Sequence, residues 1–268
     1  MFNYLSLIFV DNPIGRCYLK VYLEDKNTDL NIVYLSKYSK FSLIRKNNFY
    51  KNNYYPILFK KYKIIEKFSN HVEEFFGLNK NFLFEMYDLN LLDKFKNVNY
   101  VSSNSINEKN VIQYLKKSEN KSFLVSHQEI LKNVFTSNKD FYHIHPGYLP
   151  LVKGADGSLH SIYNYNHIGY SFFKMSEKID QGEIIYRNFL KFKNFSFNFF
   201  NEFDIDTIYR IWFSFFDPAI RAHALKKVLK QKISLSKTRE KLNKNEKFNY
   251  FTFMNANEKK LVFDKIFL

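Results

Sequence analysis

The sequence predicts an α/β protein built on an open, mostly parallel Rossmann-like sheet with helices on both faces. Three observations predict it. Short apolar runs bounded by turns recur at residues 4–10, 31–36, 98–102, 123–126 and 140–145, the pattern of buried strands. Amphipathic stretches at 16–24 and 108–117 fall between them, giving the β-α-β rhythm that parallel strands require. The composition, 46% hydrophobic and 25% charged over 268 residues, is that of a folded globule.

The elements follow in order. Residues 4–10 form a first strand, and the turn Asp11-Asn12-Pro13-Ile14-Gly15 leads to a helix from Arg16 to Glu24 with Leu19, Tyr22 and Leu23 on one side. That turn holds a single glycine, so it is not the dinucleotide fingerprint G-x-G-x-x-G. Arg16 is placed to meet a phosphate. Residues 37–97 have weak periodicity and read as short helices and loops over the sheet edge. A short helical turn covers 127–135. Between 146 and 182 lie five of the seven glycines and two of the five prolines, so this segment reads as loops carrying special backbone positions. A strand-like run covers 183–192. Asp217-Pro218 has the form of a helix start, Asp as N-cap and Pro at the first helical position, followed by a helix over 217–230. A strand over 248–254 and a helix over 257–268 complete the chain. The chain divides into an α/β domain, 1–192, and a C-terminal extension, 193–268, packed on it.

Net charge is +15. Residues 37–67 contribute nine Lys/Arg against one acid and residues 226–247 nine against two. The two stretches could meet an anionic partner. With 35 lysines to six arginines, they fit lysine-rich solvated faces better, because Arg is the stronger phosphate fork. No apolar run reaches the roughly 18 residues of a membrane span. The apolar N-terminus has neither a basic n-region nor a small-residue cleavage site, so it reads as a strand rather than a signal peptide. One cysteine, Cys17, excludes an internal disulfide framework and a cysteine-based zinc site, and a cytoplasmic setting is expected. The oligomeric state has no signature in the sequence.

Chemistry concentrates where the punctuation changes. His143 and His145 point to one face of a strand, and Pro146 and Pro150 then force the chain into a rigid loop. Thirty-five residues on, Asp180 sits in the tight turn Ile179-Asp180-Gln181-Gly182 before another strand. A histidine pair plus an acid is also a metal-ligand pattern, so a metal-dependent hydrolase is the rival from a different class.

This stretch resembles the 10-formyltetrahydrofolate-dependent formyltransferase family. That family carries Asn-x-His-Pro-Ser-Leu-Leu-Pro at a strand end, a glycine soon after, and Ile-Asp-x-Gly about 35 residues later. Here His145-Pro146, Leu149-Pro150, Gly154, Ile179-Asp180, Gly182 and Ile184-Ile185 match in order and spacing. Glu129-Ile130-Leu131 resembles the element lining the family's pterin pocket. The resemblance covers about residues 123–190. It implies a sheet of the formyltransferase type and 10-formyltetrahydrofolate as formyl donor, held by Glu129, Ile130, Leu131, Ile179, Gln181 and Gly182. His145, Asp180 and His143 are the implied catalytic residues. The implied acceptor is a small-molecule amine, best guessed as an amino sugar on a nucleotide carrier, as in sugar N-formyltransferases of polysaccharide synthesis.

Formyl transfer to an amine builds negative charge on the carbonyl oxygen and positive charge on the attacking nitrogen. It therefore needs a donor facing the oxyanion, here His145, and a carboxylate to take the proton, here Asp180. Two residues depart from the family. His143 replaces its asparagine and Gly147 its serine. An imidazole changes charge where an amide does not, so activity is expected to fall on the acid side as His143 takes a second proton. Only 86 residues follow Gly182, little room for the extra domain of the tRNA-directed branch, so a nucleic-acid acceptor is disfavoured. A ribonucleotide acceptor, or a degenerate member without catalysis, is also compatible with these motifs.

Overall fold

The computed structural model describes residues 5–36, 63–127, 129–197, 199–233, 235 and 249–268. Most of the two basic stretches, and residues 37–62 of the 37–97 segment expected to form short helices and loops, lie outside the described residues. The rest of that segment includes one helix of 14 residues, Lys63–Phe76, longer than expected.

A seven-stranded sheet organises the chain. Its strands are β1 (Leu5–Phe9), β2 (Asn31–Leu35), β3 (Asn97–Val101), β4 (Ser122–Val125), β5 (Asp140–His145), β7 (His167–Lys174) and β8 (Glu183–Lys191). They lie in the order β3-β2-β1-β4-β5-β7-β8. The five from β3 to β5 are parallel; β7 and β8 are antiparallel. The strand order reverses at β1, with β2 on one side and β4 on the other, and ligands of open α/β sheets bind beyond the strands' carboxyl ends near such a point.

Helices cover both faces. On one lie α1 (Pro13–Glu24), α2 (Lys63–Phe76) and the helix Asp217–Lys230; on the other lies α4 (Lys109–Lys117), with Val111 and Leu115 against Ile8, Val33 and Phe123. A short α3 (Phe82–Glu85) follows α2. Helix α1 begins three residues before Arg16 because Asn12 Oδ1 accepts from the Gly15 amide at 2.7 Å and Pro13 occupies the first turn, a cap that the Asn-Pro pair encodes. Arg16 is not available to a phosphate. It is buried against Asp11 and donates to the carbonyls of Met86 and Asp88.

The glycine-rich segment holds more regular structure than expected: β6 (Val152–Gly154), α5 (Gly157–Tyr165) and the eight-residue β7. The first six residues of α5 are all buried and β7 is buried on both faces, so neither shows the amphipathic alternation that marks half-buried elements. Strand β6 pairs with β9 (Asn249–Phe251). The strand expected over 248–254 ends early because the chain beyond it is bonded elsewhere. Thr252 O lies 3.0 Å from His160 Nε2, and the Met254 amide donates to Asp156 Oδ2 at 2.9 Å. Helix α8 (Ala256–Phe267) starts with an Asn255–Glu258 capping box.

Asp217-Pro218 is not a helix start. Helix α6 (Ile205–Ile211), capped by Asp204, continues through a π-helical turn at Trp212–Phe216 into α7 (Asp217–Lys230). Phe216 is already helical, at φ −74° and ψ −49°, so the true cap lies 13 residues upstream of Asp217. Helix α7 packs on α1, β5 and β7.

Candidate active site

The site lies beyond the carboxyl ends of β4 and β5. Register places His143 opposite Phe173 and His145 opposite Ser171 on β7, and the turn before β8 swings Asp180 toward them. Asp180 Oδ2 stands 3.7 Å from His145 Nδ1 and accepts from the Gly154 amide at 2.8 Å. Oδ1 takes neither of these bonds.

His145 is 4% exposed. Its Nε2 lies 3.0 Å from the Val152 carbonyl; a carbonyl only accepts, so Nε2 carries a proton. The ring is clamped by two glycines. A Cβ at Gly147 would stand 2.6 Å from Nε2, and one at Gly157 3.0 Å. The glycine found where the family has serine is thus a condition for this ring position.

His143 Nδ1 donates to the Val125 carbonyl at 3.1 Å, and Nε2 accepts from the Arg221 guanidinium at 3.2 Å. A guanidinium has no acceptor, so the ring is neutral with its proton on Nδ1. Burial, then the charge of Arg221, lower its pKa from 6.5 to about 3. This corrects the expected acid limb: His143 does not gain a second proton in the ordinary assay range. Its one N–H is also directed to Val125 rather than outward.

Arg221, on α7, is a site residue that sequence patterns do not reveal. It donates to Asp217 Oδ2 at 2.7 Å and to the Ile144 carbonyl. Burial opposes its charge, but Asp217 and Tyr18 outweigh burial and raise its pKa. The only signal is the Asp217–Arg221 spacing of four on a helix, which the apparent helix start at Asp217 obscures.

Beside these groups is an open cleft of about 120 Å³. Glu129, Ile130, Leu131, His143, Ile179 and Asp180 line it, with His127, Phe173 and Met175. Gln181 and Gly182 stand outside it. Gly182 instead lets the turn pass the Lys174 carbonyl, which a Cβ would overlap at 1.7 Å. The Glu129 carboxylate is turned away, accepting from Ser105 Oγ, Asn107 Nδ2 and the Ile106 amide. Burial opposes its charge, and the bonds from Ser105 and Asn107 prevail and lower its pKa. His127 Nδ1 accepts from the Glu129 amide at 2.8 Å, and burial lowers its pKa to about 4 despite the nearby carboxylate.

Among the described residues no cluster of three or more His, Cys, Asp or Glu is arranged to hold a metal ion, and the one lone-pair nitrogen of His143 faces a cation. No helix among them is long and apolar enough to cross a membrane.

The mixed seven-stranded sheet with its covering helices has the fold of solved formyltransferases. The chain is similar to a sugar N-formyltransferase from a Shewanella species, at TM-score 0.52 and 14% identity, over 96% of this chain and 85% of that one. It is similar to a 4-N formyltransferase from Francisella tularensis at TM-score 0.52 and 12% identity, over 98% of this chain and 87% of that one. No protein-family model and no curated protein matches it by sequence.

Proposed function

We propose that the chain transfers a formyl group from 10-formyltetrahydrofolate to the amine of a small acceptor, an amino sugar on a nucleotide carrier. The observation that carries this is the convergence of His145 and Asp180, 35 residues apart in sequence and 3.7 Å apart in space, beside a cleft at the carboxyl edge of the sheet. The cleft suits a flat, partly apolar ring, with Ile130, Leu131, Phe173, Met175 and Ile179 in its wall and polar side chains, His143, Lys178 and Asp180 among them, beside these. Bound there, the folate would supply the formyl group. Asp180 would accept the proton of the attacking amine at Oδ1, because Oδ2 already accepts from the Gly154 amide. His145, once charged, directs Nδ1–H toward Asp180, and the pair balances the charges that develop during transfer. The likeness to the Shewanella sugar N-formyltransferase supports a sugar acceptor.

One observation favours a second reading, a folate-binding member without turnover. Both imidazoles have their Nε2 or Nδ1 protons directed to backbone carbonyls, Val152 and Val125. The experiment is calorimetry with a reduced folate in chelator, followed by formyl-transfer assays on a panel of nucleotide-linked amino sugars. Binding with turnover supports the enzyme. Binding without turnover on any amine supports the second reading, and absence of binding overturns both.

A further inference from the structure

Arg221 reaches the site from the opposite face of the sheet, and its fork is fixed at three points. Asp217, 1% exposed, takes Nε–H; the Ile144 carbonyl and His143 Nε2 share the Nη1 protons. Neither outer partner of His143 can exchange its role. The Val125 carbonyl only accepts and the guanidinium only donates, so a proton on Nε2 would face an N–H at 3.2 Å. The other groups facing the ring are Asp180 from the turn before β8, His145 on its own strand, and Phe173 edge-on from β7. Behind Arg221 stand Asp217 and, from α1, Tyr18 and Cys17.

We propose that Arg221, braced by Asp217, is a positioning residue that locks His143 as the neutral Nδ1–H tautomer, so that the imidazole presents the same pair, one N–H and one acceptor, as an asparagine amide. The inference rests on the reading of this site as a formyl-transfer centre. It gives the His143 substitution a physical account. A histidine can occupy the amide's place when burial and a fixed cation together forbid its second proton, and α7 provides that cation. With His143 held neutral, the two imidazoles on this strand face cannot both be charged and repel.

The test is nitrogen-15 NMR of the imidazole rings in the full chain, with a pH–rate profile beside it. In the wild type, His143 should show Nδ1 protonated and Nε2 bare, unchanged across about pH 5 to 8, the range in which an ordinary imidazole titrates. A proton on Nε2, or titration within that range, overturns the proposal. The double variant Arg221→Met/Asp217→Asn removes the cation without leaving a buried carboxylate unpaired. In it, His143 should begin to titrate in that range, and turnover should acquire an acid limb absent from the wild type. A folded double variant with His143 and the profile unchanged also overturns it. If the double variant does not fold by circular dichroism, the wild-type spectrum decides alone. The spectra need no substrate, so a failure to find formyl transfer leaves them standing. Conversely, a wrong tautomer in an active enzyme removes only the role of Arg221.

Discussion

The hydroxyl of Tyr87 donates to the carbonyl of Ser214 at 2.6 Å. Ser214 lies four residues before Pro218, whose ring nitrogen has no proton to return to it. The tyrosine thus replaces the helical hydrogen bond that proline removes, and the π-turn at Trp212–Phe216 gives the ring room. A helix can therefore run unbroken from α6 into α7 and deliver Arg221 to the site.

Tyr87→Phe should leave that carbonyl without its donor. Leaving a fully buried acceptor unsatisfied costs about 1–3 kcal/mol; Ser214 is half-buried while Tyr87 is 1% exposed, so the lower end of that range is expected. Urea denaturation should show the loss at unchanged slope. Stability equal to that of the wild type would mean that water replaces the hydroxyl.

The sheet is legible in the sequence because its strands and helices repeat apolar residues at their own periods; β1, β2, β3, β5 and α4 lie within a residue or two of expectation. The His145–Asp180 pair is legible because its motif is local at both ends. The Asp217-Pro218 pair misleads because cap residues state a local preference, and Tyr87, 127 residues distant from Ser214, overrides it. Arg221 is invisible for the same reason: its meaning lies in His143, 78 residues away. Asp156 is another such case. Its sequence suggests only a turn, yet its carboxylate accepts from Tyr209 Oη and the Met254 amide.

Gly147→Ser restores the residue the family has, and should harm this chain. The new Cβ would lie 2.6 Å from His145 Nε2 and 3.0 Å from the Val152 carbonyl. The ring is the movable partner, so it should swing away from Val152. Overpacking of this kind costs about 1–3 kcal/mol, and the displaced imidazole no longer meets Asp180. We expect a lower melting temperature together with lost turnover. Full activity would show that the clamp does not set the ring's working position.

Stability should fall on mild acidification. His127 and His143 are held neutral in the fold, with pKa values near 4 and near 3 against an ordinary 6.5, and burial lowers His167 and His223 as well. Below pH 6.5 the unfolded chain binds protons that the fold refuses. The stabilisation is therefore complete above 6.5 and declines as pH falls toward the folded values. At about 1.4 kcal/mol per unit of separation, His127 and His143 together should remove ~2–4 kcal/mol between about pH 6.5 and 5. His127→Asn should reduce that slope. Denaturation curves that coincide at the two pH values would contradict the neutral assignment.

Asp180→Asn tests the carboxylate with the least disturbance to its surroundings. Asp180 sits in the left-handed region at φ +50°, a conformation that asparagine adopts readily. The amide oxygen can still accept from Gly154, so the turn that closes over β6 should persist and folate affinity with it. What disappears is the negative charge 3.7 Å from His145 and, in the proposed reaction, the acceptor of the amine's proton. Loss of a general acid–base group lowers turnover by about 100-fold or more. Single-turnover kinetics at saturating donor separate this from weakened binding. Turnover within a few-fold of the wild type, with the fold intact, would remove Asp180 from the chemistry and leave it as the residue that fixes Gly154.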